Sequence, residues 1–223
     1  AEAAALAKTN FLANMSHEIR TPMNAIVAMA NLLNVAEKDA LKRGYIQNIL
    51  TASGTLLGII NDILDFSKID AHKFELLPQS YDTAEMLRDA TAIISLRAVE
   101  KQLDRVTDVD PRLPRRLFGD DLRIKQVLTN ILSNAVKYTQ SGHVRLCAEF
   151  TDIEAGIQLT IEVEDSGMGI HPDEVPNLFT AFAQLDLQKN RGIQGTGLGL
   201  AISKGIATQL GGDILIDSEY GKG

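Results

Sequence analysis

The chain has 223 residues, room for one or two domains of about 150 residues with a real core. Lys and Arg number 22 against 29 Asp and Glu, a net charge of −7, which is the wrong sign for gripping nucleic acid through its phosphates. Hydrophobic residues at 45% exclude wholesale disorder, and a lone cysteine, Cys147, excludes intramolecular disulfides and thiolate metal clusters. With no signal peptide and no apolar run near the roughly 18–20 residues of a membrane helix, the chain is expected to be soluble and cytoplasmic.

Residues 1–70 read as helix. Ala1–Lys8 is rich in Ala and Leu, which are strong helix formers. Leu12, Met15, Ile19, Ile26, Met29 and Leu33 then follow near-heptad spacing. After a break at Glu37–Asp39, a second pattern runs Ile46, Ile49, Ser53, Leu56, Ile60, Ile63, flanked by Leu50, Leu57 and Leu64. A stripe this wide suits a four-helix bundle, which one hairpin completes only as a symmetric homodimer.

Past Asp70 the pattern changes, and residues 71–223 read as a second domain. Phe74–Tyr81 is extended, with Pro78 marking an edge. Helices are expected at Asp82–Lys101, Asp121–Tyr138 and Leu198–Leu210, and strands at His143–Phe150, Ile157–Glu164 and Asp213–Ser218. Leu185–Gly197 is Gly-rich, polar and aperiodic, so it reads as a loop. Intermixed strands and helices with hairpin connections indicate an α+β layer. The joint between the halves is expected near Lys68–Lys73.

His17 falls at heptad position f when Leu12 is placed at a, so it should face outward. Glu18 is its neighbour, and Pro22 removes the N–H that would bond the Glu18 carbonyl, so a bend is expected there. An exposed imidazole beside a carboxylate has the makings of a nucleophile with its own base, although a surface histidine on a helix looks the same. The string from Phe11 to Asn24, FLANMSHEIRTPMN, resembles the phosphoacceptor motif of sensor histidine kinases, in the version common among hybrid kinases. The resemblance implies that His17 accepts the phosphoryl group, that Glu18 orients the ring and takes its proton, and that Thr21 positions water in a phosphatase reaction.

Gly195-Thr196-Gly197-Leu198-Gly199 opens a helix, where free N–H groups form an anion site. Its spacing fits neither a Walker nor a Rossmann loop. Asp165-Ser166-Gly167-Met168-Gly169 follows a strand, so a carboxylate can accept from an adenine amino group while the glycines admit the base. Asn130 and Asn134 lie at i and i+4 on one helix face, and amide oxygens suit Mg²⁺, which takes few protein ligands. In this order the three motifs resemble the Bergerat-type ATP-binding domain of histidine kinases, gyrase-like ATPases and Hsp90-like chaperones. Leu178–Phe182 is similar to the kinases' phenylalanine box.

The resemblance implies an α+β architecture: an antiparallel helical hairpin forming a dimeric four-helix bundle, then a Bergerat-type α/β sandwich. It implies ATP and Mg²⁺ as ligands, with Asp165 on adenine, Asn134 on the metal and Asn130 supporting metal and phosphates. Lys137, Tyr138, Phe182 and Arg191 line the nucleotide site with Gly167, Gly169 and the Gly195–Gly199 loop, and Leu185–Gln194 is the lid. The superfamily's ATPases carry a Glu where this chain has Asn130, a neutral amide that cannot activate water. The expected reaction is therefore autophosphorylation of His17, then transfer to an aspartate of a response-regulator receiver domain in a phosphorelay. A gyrase- or chaperone-type ATPase and a non-catalytic ATP-sensing scaffold are the alternatives. Partners are expected to be a second copy and the receiver domain, with no direct nucleic-acid contact and any membrane anchor in segments outside this chain.

Overall fold

The computed structural model describes residues 2–71, 73–154, 156–183 and 196–223, which form two compact units, Ala1–Phe74 and Glu75–Gly223. The expected lid Leu185–Gln194, with Arg191, and the first loop glycine, Gly195, lie outside the described residues.

The first unit is a hairpin of α1 (Glu2–Ala36) and α2 (Ala40–Asp70). The turn between them is closed by carboxylates. Glu37 Oε1 accepts from the amides of Lys38 and Asp39, and Asp39 caps α2 by accepting from Leu41 and Lys42. Across the pair, Arg20 Nη2 donates to Asn61 Oδ1 at 2.7 Å. Pro22 sits inside α1, which is one continuous helix.

The pairing within one chain takes up only part of the heptad pattern. Among the residues whose burial is described, the buried ones are Ser16, Met23 and Ala30 on α1 and Ile46, Ser53, Ile60 and Ser67 on α2, each line stepping by seven. Ile19, Ile26, Met29 and Leu33, with Ile49 and Leu56 on α2, are instead exposed within the chain. Ser16, Ala30, Ser53 and Ser67 alternate in this contact with Met23, Ile46 and Ile60, and the row Ile19–Ile26–Leu33 is left on another face. The expectation that no apolar run approaches a membrane helix is corrected at α2, which is long and apolar enough to cross a membrane by length and composition alone. No charged residue occurs from Gly44 to Asn61, where Gly, Ser, Thr and Asn break the apolar run without adding charge.

The second unit contains β1 (Gln79–Asp82), α3 (Thr83–Glu100), β2 (Asp104–Val109), β3 (Arg116–Gly119), α4 (Asp121–Tyr138), β4 (His143–Ile153), β5 (Gly156–Asp165) and α5 (Gly199–Gln209). β1 and β3 form a small antiparallel pair. The main sheet has the order β2-β4-β5, with β2 parallel and β5 antiparallel to β4. Register Val144↔Asp165 puts the start of β4 beside the end of β5. Val144, Leu146 and Ala148 point to one face, where they join Leu87, Ala90, Ile94 and Ala98 of α3 and Leu128, Leu132, Ala135 and Val136 of α4 in a single core.

Three elements differ from expectation. β2 and β3 fall where the sequence suggests no element, and β2 is an edge strand with all six residues exposed, so its sequence lacks burial alternation. The expected strand at Asp213–Ser218 is absent. Its groups bond elsewhere: Ile214 N–H to the Asp213 carboxylate, Ile214 C=O to Lys204 Nζ, and Ser218 Oγ to Ile170 N–H.

Candidate functional site

In the helical unit, His17 belongs to α1, and its side chain lies outside what the structure describes. Glu18 and Thr21 are both exposed on the same helix, one and four residues further along. The local fold keeps them presented, because the buried line on α1 runs through Ser16 and Met23, on either side of them.

In the second unit the candidate residues assemble around α4. Its first turn is set by Asp120, which is 4% exposed and accepts from Arg123 N–H at the cap and from Leu77 N–H at 2.8 Å. Midway along α4, Asn130 and Asn134 share a face. Asn130 Nδ2 donates to the buried Ser203 Oγ of α5 at 2.8 Å. Its Oδ1 faces Gly199, where a Cβ would stand only 2.5 Å away, so glycine at this position is what lets α5 begin against the amide. The Asn134 amide makes no hydrogen bond among the described residues.

Among the described residues no side chain caps the α5 N-terminus at Leu198, which leaves its first-turn amides open to an anion. Thr196 Oγ1 accepts from Leu198 N–H, and Gly197, at φ +69°, accepts from Phe182 N–H at 2.9 Å. The structure thus joins the phenylalanine segment to the glycine loop. Phe182 is 65% exposed.

At the other end, α4 stops beside Asp165. Thr139 is fully buried. Its hydroxyl donates to Ala135 C=O at 2.8 Å and lies 3.3 Å from Asp165 Oδ1, which also accepts from Gly167 N–H at 2.9 Å. A Cβ on Gly167 would meet Asp165 Oδ1 at 2.6 Å and Tyr138 C=O at 2.7 Å, so the loop needs glycine to pass. Gly169 takes φ +63°. Lys137 Nζ stands 5.0 Å over the Tyr138 ring. With one Asp165 oxygen held from within, the carboxylate is pre-oriented to accept from a donor on its other oxygen.

Sequence reasoning missed three supports. Lys101, at the end of α3, donates to the carbonyls of Val136, Lys137 and Thr139 at 2.8–2.9 Å. Ser203 anchors Asn130, and Lys204 ties α5 to Asp213 while its Nζ stands 4.9 Å over Phe179. The Lys204 ammonium holds the Asp213 carboxyl below its ordinary range. Only the helical phase was a signal. Ser203 and Lys204 lie one turn into α5, and a lysine after a helix end resembles any solvated charge.

A two-layer fold with an asparagine pair, a strand-end aspartate and an uncapped glycine-rich helix start defines a nucleotide-binding domain. Residues 119–223 match the family described as histidine kinase-, DNA gyrase B- and HSP90-like ATPases, and residues 7–72 match the His Kinase A (phospho-acceptor) domain. With both matches in that order, the chain belongs to the sensor histidine kinases, and its second unit carries their ATP-binding fold.

The chain is 40% identical over 224 residues to hybrid signal transduction histidine kinase B of Dictyostelium discoideum, covering 100% of this chain and 11% of that protein. It is 44% identical to the sensor histidine kinase GacS of Pseudomonas protegens, covering 97% of this chain and 24% of that protein. The crystal structure of full-length ShkA in complex with AMPPNP superposes with a TM-score of 0.76 at 34% identity, covering 96% of this chain and 43% of that one. The chain therefore spans a quarter or less of the two sequence relatives.

Proposed function

We propose that this chain is an autokinase core in which ATP bound to the second unit phosphorylates His17. The Pγ–O bond to ADP breaks and a P–N bond forms on the imidazole. ADP leaves, and the displaced imidazole proton passes to Glu18. The phosphoryl group then moves to an aspartate of a receiver domain. Positioning and charge neutralisation supply most of the catalysis in such a transfer.

The observation that carries this reading is Asn130. A neutral amide committed to Ser203 cannot serve as the base that activates water, so the γ-phosphoryl is reserved for another nucleophile. Asp165 accepts from the adenine amino group, and the α5 N-terminus meets the phosphates. Lys137 and, outside the described residues, Arg191 add positive charge. The donor set fits Mg²⁺: the Asn134 amide oxygen is uncommitted among the described residues, and Asn130 lies one turn before it on the same face. Bound there with the phosphates, the ion would neutralise charge on the transferring group. A second copy of the hairpin covers the exposed rows Ile19–Ile26–Leu33 and Ile49–Leu56, giving a four-helix homodimer. Thr21, one turn beyond His17, positions water when the reaction runs as a receiver phosphatase.

The test is γ-labelled ATP with Mg²⁺. An acid-labile, base-stable protein label is expected, lost in His17→Gln and Asn134→Ala. Nucleotide binding without label would reject the kinase. ATP turnover that persists in His17→Gln would establish an ATPase instead.

A further inference from the structure

Lys101 occupies an unusual position. Its backbone N–H closes α3 on the carbonyl of Arg97, and its side chain closes α4. The Nζ donates to Val136 C=O at 2.8 Å, Lys137 C=O at 2.9 Å and Thr139 C=O at 2.9 Å. An ammonium has three donors, so all of them are used. They converge on the negative end of the α4 dipole, where carbonyls otherwise lack partners.

What that helix end carries is Thr139, whose hydroxyl reaches Asp165 Oδ1 at 3.3 Å. Tyr138 C=O lies under Gly167, whose N–H holds the same oxygen at 2.9 Å. The Asp165 carboxylate is therefore held by the Gly167 N–H and, more weakly, by the Thr139 hydroxyl, whose one proton is shared with Ala135 C=O, and the placement of both depends on where α4 ends. Lys101 sets that end from outside the nucleotide site.

We propose that Lys101 is a positioning residue for nucleotide-base recognition, acting through the α4 terminus and Thr139 to fix the orientation of the Asp165 carboxylate. It touches no nucleotide. It holds the carboxylate so that one oxygen is presented to an exocyclic amino group, and thereby sets preference for a 6-aminopurine. This rests on the reading that Asp165 meets the base.

The experiment measures binding of ADP and of purine riboside 5′-diphosphate, which lacks the 6-amino group, to the full chain by calorimetry. Asp165→Asn comes first as the control for the reading itself. It should collapse the preference for ADP. If it leaves the preference intact, Asp165 does not read the base and the underlying reading fails.

Given that collapse, Lys101→Met should weaken ADP about 5- to 10-fold, the scale of one well-placed hydrogen bond, and purine riboside diphosphate less than about 2-fold. Thr139→Val should do the same, and the double variant should lose no more preference than either alone, since both act on one carboxylate. Lys101→Arg keeps the charge, but a planar fork cannot place one nitrogen on three converging carbonyls, so it should lose preference too. It also serves if the Met variant fails to fold. Equal weakening of both nucleotides would make Lys101 merely structural. Unchanged preference in Lys101→Arg or Thr139→Val, with the Asp165→Asn effect present, would overturn the proposal.

Discussion

Replacing Gly199 with Ala tests whether the asparagine face of α4 and the start of α5 form one unit. The new Cβ would stand 2.5 Å from Asn130 Oδ1 and 3.1 Å from Cγ and Nδ2, where ordinary contact begins at 3.4 Å. The amide must therefore retreat by 3.4 − 2.5, about 0.9 Å. Asn130 sits mid-helix, so it can move only by turning its side chain, and that breaks the 2.8 Å bond to Ser203. Ser203 is buried, so its hydroxyl is left unpaired. Overpacking costs about 1–3 kcal/mol and the unpaired group about 1–3, against a helix-propensity gain of at most about 1. The net loss is about 1–6 kcal/mol in urea unfolding of the second unit, and nucleotide binding should weaken with it. In an Asn130→Ala background the obstruction is gone, so the same substitution should cost less than about 1 kcal/mol. An equal cost in both backgrounds, or no cost in either, would refute the contact.

Asp120→Ala removes the α4 cap and strands the Leu77 N–H, so it should cost about 2–4 kcal/mol in denaturant melts, whereas Asp120→Asn should retain part of that. Ile26→Glu puts a charge on the exposed row twice per dimer, and at about 1.5–3 kcal/mol for each buried side chain it should weaken self-association by two decades or more in sedimentation equilibrium. The Arg115 side chain, then the Glu85 N–H, hold the Asp82 carboxyl below its ordinary 3.8. Its stabilising contribution is therefore complete above pH 3.8 and disappears as pH falls through the lower folded value, so Asp82→Asn should flatten the acid limb of the stability profile, less so in high salt.

The long helices were legible because their phase repeats many times. α4 begins and ends at the residues its sequence announces, Asp121 after an Asp cap and Tyr138 before Thr139. β4 and β5 were legible from alternation across a half-buried sheet. β2 was not. As an exposed edge it gains pairing from β4 without burying a face, and Asp104–Val109 has no apolar alternation to display. Asp213–Ser218 failed in the opposite way, since the apolar run Ile214–Ile216 is present and no ladder takes it up. In the site, each glycine motif was visible as a string. The reason for two of the glycines was not: Gly199 faces Asn130, 69 residues earlier (199 − 130), and Gly167 faces Tyr138. Lys101 was hidden for the same reason, because its partners lie 35 to 38 residues away.

The hairpin shows why heptad phase alone was ambiguous. α2 carries two lines that both step by seven: Ile46, Ser53, Ile60 and Ser67, and three residues on, Ile49, Leu56 and Ile63. Hydrophobicity favours the second as the main contact, yet the chain buries the first against Ser16, Met23 and Ala30. Close approach explains the choice. Serine and alanine allow two antiparallel helices to pack tightly over a short turn, and the Arg20–Asn61 bond holds their register. The bulky line then remains outside, where it is too apolar for a monomer's surface and too regular to be incidental. A second hairpin supplies the missing cover on the proposed reading. The charge-free stretch Gly44–Asn61 follows from the same requirement: a helix that must be enclosed on several sides by other helices satisfies nearly the same compositional test as one enclosed by lipid.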